Sequence, residues 1–71
     1  MNIMAKTVID VEGMTCGHCK SSVEGALHNL DGVSTAAVNL EENNVTVEYN
    51  DTIVDRGKMT EAIEDQGYDV K

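Results

Sequence analysis

The residues of this 71-residue chain best placed to do chemistry are Cys16 and Cys19, the only two cysteines, inside Gly13-Met14-Thr15-Cys16-Gly17-His18-Cys19. Three-residue spacing puts two side chains on the same side of a forming helical turn, close enough for two sulfurs to share one ion. The pair falls where a β-prone segment ends and a helical pattern begins. The unpaired N–H groups and positive dipole end of that helix favour the thiolate, which is the form that binds metal. Lys20 adds a positive side chain beside it. Soft sulfur donors select Cu(I) over hard cations.

Cys-x-x-Cys taken alone serves three chemistries: soft-metal binding, structural zinc and thiol–disulfide exchange. Structural zinc needs four protein ligands, and outside the motif the chain offers only His28. Exchange of the thioredoxin type uses a larger fold with a Pro in the motif or in a cis-Pro loop, and this chain has no Pro. A disulfide staple would close too small a loop to hold a fold together. A reducing compartment is therefore expected, with the thiols serving a metal or redox role.

The elements that must position the pair follow from hydrophobic period. In Thr7-Val8-Ile9-Asp10-Val11-Glu12, Ile9 and Val11 share a side, which predicts a half-buried strand ended by Gly13. Cys19, Val23, Ala26, Leu27 and Leu30 recur at helical spacing, with Lys20, Ser21, Glu24 and His28 expected to face water. Asp31-Gly32 closes this helix. A second strand runs from Val33 to Leu40, with Ala36, Val38 and Leu40 on one side. Glu41-Glu42-Asn43-Asn44 forms a turn, and Val45, Val47 and Tyr49 alternate on the return strand. Asp55 caps a second helix whose stripe is Met59, Ala62, Ile63 and Gln66. Gly57 interrupts its first turn, Gly67 ends it, and Tyr68-Asp69-Val70 forms a last short strand. The expected fold is an α+β, ferredoxin-like βαββαβ sandwich. Right-handed crossovers would place both helices on one face of a four-stranded antiparallel sheet and leave the other face in water.

Composition limits the function classes. A chain this short buries roughly 60% of its unfolded surface and has no room for a deep substrate pocket. One domain over 1-71, with its core at about 6-70, is expected. Thirteen acidic residues against five Lys and Arg give a net charge of -8, which argues against nucleic acid and suits a solvated, soluble surface. No apolar run approaches the roughly 20 residues that cross a bilayer, and no charged n-region precedes an apolar stretch. We expect a mature cytoplasmic chain without membrane insertion. Met1 and Met4 are read as a frayed terminus rather than metal ligands.

With these residues in view, Gly13-Met14-Thr15-Cys16-Gly17-His18-Cys19 resembles the Gly-Met-x-Cys-x-x-Cys signature of the heavy-metal-associated domain family. Ala62-Ile63-Glu64-Asp65-Gln66-Gly67-Tyr68-Asp69-Val70 and Asp31-Gly32-Val33 are similar to the family's bacterial copper chaperones. The resemblance covers nearly the whole chain. It implies Cu(I) held by Cys16 and Cys19 and delivered by ligand exchange to a copper-transporting P-type ATPase. It also makes Met14 a core residue under the loop rather than a third ligand, and Tyr68 the residue that bacterial members place beside the loop. Adjacent helical residues do not face each other, so His18 is expected to tune the site rather than ligate. His28 is expected to be solvated. Two Cys pairs supply four thiolates, so a copper-dependent homodimer is expected as well. The alternatives are a metal-binding domain of such an ATPase, a mercury carrier and, from another class, a small thiol–disulfide oxidoreductase. The start at Met1 and the end just after the last strand favour a free carrier.

Overall fold

The computed structural model describes residues 4–14 and 17–70. Its elements are β1 (Met4–Glu12), α1 (Gly17–His28), β2 (Val33–Asn39), β3 (Asn44–Asn50), α2 (Arg56–Asp65) and β4 (Asp69–Val70). The four strands are antiparallel to their neighbours and run in the order β2-β3-β1-β4, so β1 and β3 are central and β2 and β4 lie at the edges. This is the expected ferredoxin-like βαββαβ plan.

Register explains how one face becomes apolar. Val38 lies opposite Val45, which lies opposite Ile9; one step along, Ala36, Val47 and Thr7 are aligned. Side chains directly opposite share a face, so these rows present a single surface to the helices. Val23 and Leu27 of α1 and Met59 and Ile63 of α2 close over it, and all four belong to one core with Ile9, Val11, Val45 and Val47. On the outer face Lys6 pairs with Glu48 and Val8 with Thr46, and Val8 is 48% exposed.

Several local expectations shift. Met4 is not frayed: it begins β1 and pairs with Asn50, because β3 is long enough to extend the ladder. α1 ends at His28, before Leu30, which the chain still brings against the core through a turn in which Leu30 N–H donates to Leu27 C=O at 3.0 Å. Leu40 falls in the turn after β2. Gln66 is exposed, since α2 stops at Asp65 and Gln66 is already its cap. Val33 and Ala36 have opposite parity yet both pack inward, because the register slips at Val33/Thr35 and resets the alternation. Glu24 is half-buried rather than solvated, for a reason given below.

Other local expectations stand. Asp55 caps α2, its Oδ1 accepting from Lys58 N–H at 2.9 Å. Asn43 takes φ 54 in the β2–β3 turn, where Asn39 Oδ1 also accepts from the N–H groups of Glu41 and Glu42.

Candidate metal centre

β1 ends at Glu12, and Gly13 then turns the chain with φ 95, a conformation that residues with a β-carbon rarely adopt. The turn drives Met14 back into the molecule, where its side chain is 3% exposed and belongs to the core. Helix α1 begins three residues later at Gly17. Thr15 and Cys16 lie outside the described residues, as does Met1. The loop is thus held at both ends, by Met14 in the core and by a helix whose Val23 and Leu27 are fully buried.

Cys19 is in the first turn of α1, half-buried and packed against the core edge. Its position in the first turn, at the positive end of the helix dipole, is the one the sequence pattern predicted. His18, one residue earlier, is exposed, as are Lys20 and His28. Tyr68, just before β4, packs against the core, and a β-carbon placed on Gly13 would lie 3.5 Å from Tyr68 Cδ1. The ring therefore lies along the base of the loop, brought there because β4 pairs with the end of β1, Glu12 opposite Asp69. Among the described residues, no group of three or more His, Cys, Asp or Glu is arranged to hold a metal ion.

One neighbour of the loop was not read from the sequence. Because β3 runs antiparallel to β1 with Asn44 opposite Asp10, the β2–β3 turn arrives at the same end of the sheet as the loop. Val11 N–H donates to Asn43 C=O at 2.9 Å, and Glu42 and Asn43 join Asp10, Glu12, Gly13 and Met14 around a depression of about 450 Å³. The signal that could have found it is strand register, which follows once β1 and β3 are recognised as partners. This end of the molecule therefore combines an anchored loop with a half-buried thiol and a polar, acidic rim. No described helix is long and apolar enough to cross a membrane.

Comparison with known proteins agrees with this geometry. Residues 8–69 match the model of the heavy-metal-associated domain. The copper chaperone CopZ of Staphylococcus aureus (strain MRSA252) is 58% identical over 67 residues, spanning 94% of this chain and 98% of the relative. Among solved structures, a CopZ metallochaperone superposes with a TM-score of 0.93 at 57% identity, covering 94% of this chain and all of that one (100%). The N-terminal domain of a potential copper-translocating P-type ATPase from Bacillus subtilis, in the Cu(I)-loaded state, superposes with a TM-score of 0.92 at 38% identity, covering 97% of this chain and 86% of that one. With the fold, the strand–loop–helix junction and the motif all in agreement, the chain belongs to the heavy-metal-associated domain family.

Proposed function

We propose that this protein is a copper chaperone: it carries Cu(I) on the thiolates of Cys16 and Cys19 and passes it by ligand exchange to a copper-transporting P-type ATPase. The observation that carries the reading is the seating of the motif. Met14 anchors the motif's first end in the core, and Cys19 lies half-buried in the first turn of α1 at its other end. Two sulfurs at a helix N-terminus give a soft, low-coordinate site that selects Cu(I) and leaves it open to an incoming thiolate. Each new sulfur binds before an old one leaves, in the manner of mixed-disulfide exchange, so the ion is never released free. No substrate bond is made or broken, which makes the protein a carrier rather than an enzyme, and its reduced thiols suit the cytoplasm.

The likeness to the Cu(I)-loaded ATPase domain supports both the oxidation state and the kind of partner, since donor and acceptor would present equivalent thiolate pairs on equivalent loops. His18 and Tyr68, exposed beside the loop and packed along its base respectively, are assigned to tuning the site. Two loaded copies meeting at their loops would supply four thiolates and form a copper-dependent homodimer. The test is competition titration with a Cu(I) chelator under anaerobic, reducing conditions. The parent protein is expected to withdraw one Cu(I) per chain at low loading, and the double variant Cys16→Ser/Cys19→Ser none. Unchanged stoichiometry in the double variant would refute the assignment.

A further inference from the structure

The sheet order leaves β2 with a strand partner on one side only. This edge is seven residues long, Val-Ser-Thr-Ala-Ala-Val-Asn, and carries neither a charge nor a Pro in a chain whose net charge is -8. An uncharged edge strand of good β-propensity is a template for another strand, and proteins usually protect such edges with Lys, Pro or a bulge. The register slip at Val33/Thr35 disturbs one end of β2. The other end, from Ala36 to Asn39, is regular.

In an antiparallel pair the N–H and C=O groups of alternate residues point to the partner strand and those between point away. Val38 lies opposite Val45, but its N–H donates to Glu24 Oε2 at 2.9 Å. Val38 and, two residues back, Ala36 therefore direct their amides to the open side. Glu24 belongs to α1 and reaches round the sheet edge to meet this amide, which explains why it is half-buried on a helix side expected to face water.

We infer that Glu24 guards the edge of β2 against pairing with the β2 of a second copy. Its carboxylate occupies the N–H that an incoming strand must bond. It also holds a negative charge where that strand's carbonyl would arrive, and two copies meeting edge to edge would bring two such charges together. A carboxylate has only acceptors to offer, so it satisfies the amide without presenting a donor to the newcomer. This association is separate from the copper-dependent one, because it uses no thiolate.

The experiment uses metal-free, reduced protein with chelator present. Glu24→Met keeps the helix propensity and length but removes the acceptor; Glu24→Gln removes the same charge and keeps an acceptor. In Glu24→Met, Val38 amide exchange is expected to accelerate about tenfold or more, as loss of a charge-assisted hydrogen bond allows. Sedimentation velocity should then show a concentration-dependent dimer. Glu24→Gln still covers the Val38 amide but lacks the charge and offers a donor, so it should associate more weakly than Glu24→Met, and adding Ala37→Lys to Glu24→Met should restore the monomer by charging the edge. The inference is overturned if Val38 exchange is unchanged in Glu24→Met, if that variant stays monomeric, or if Glu24→Gln associates equally well. In the unsubstituted protein, Val38 should exchange about tenfold more slowly than Ala36, each relative to its intrinsic rate, because only Val38 has the carboxylate. Equal protection there overturns the inference even if Glu24→Met fails to fold.

Discussion

Met14 carries a polarizable thioether next to a candidate soft-metal site, and it is 3% exposed inside a core of aliphatic side chains. Packing and ligation make different demands on it. A packing role needs volume, which Leu supplies, while ligation needs sulfur, which Leu lacks. Met14→Leu is therefore expected to keep the parent Cu(I) stoichiometry in a chelator titration and to change stability by less than about 1.5 kcal/mol. Met14→Ala should cost about 2–4 kcal/mol in urea unfolding, since it leaves a cavity under the loop. Loss of copper binding in Met14→Leu would make Met14 a ligand. Tyr68 belongs to the same neighbourhood: its Cδ1 lies 3.5 Å from where a β-carbon on Gly13 would stand, beside the turn from which Met14 is directed inward.

At the scale of elements, the junctions are more constrained than the helices and strands they join. Gly32 and Gly67 both precede a strand with positive φ, 94 and 93. Their surroundings differ. A β-carbon on Gly32 would stand 2.8 Å from Ile53 Cβ, while one on Gly67 would meet nothing within 4 Å. Gly32 C=O also accepts from Asn50 N–H at 2.7 Å, which holds the α1–β2 and β3–α2 connections together. Gly67→Ala is expected to cost only left-handed strain, about 1–2 kcal/mol. Gly32→Ala adds a clash with a β-branched side chain and should cost about 2–5 kcal/mol in all. Thermal and urea unfolding of the two variants side by side checks the difference, and equal losses would count against it.

At the scale of the whole molecule, charge works against self-association. Two chains of net charge -8 repel as they approach, and the rim around the loop, with Asp10, Glu12 and Glu42, places part of that charge at the face where a copper bridge would form. The copper-dependent dimer is therefore expected to strengthen as salt rises, because screening reduces the repulsion and leaves the copper–sulfur bonds intact. Sedimentation velocity of loaded protein across a salt series reads this directly. A dimer that weakens with salt, or no dimer at any copper loading, would refute it. Docking to a basic surface would show the opposite salt dependence, so the sign separates the two contacts.

The sequence by itself determined the order of the elements, their inward faces and the place of the motif at the β1–α1 junction. Those features follow from periods of two and 3.6 residues and from Gly, Asn and Asp at turns, all of which act within a few residues. Tertiary structure decided what depends on residues far apart in the chain. Pairing register carried β1 back to Met4 and brought the β2–β3 turn to the loop. The register slip at Val33/Thr35 turned Val33 inward, and the early end of α2 released Gln66 to water. Most clearly, Glu24 reads as a solvated helix position until the edge of β2, 14 residues further on, places an amide within its reach. The candidate site shows the same division. The motif's place between β1 and α1 was legible from the pattern, whereas the burial of Met14 and the seating of Tyr68 against Gly13 required packing between elements that the linear pattern does not encode.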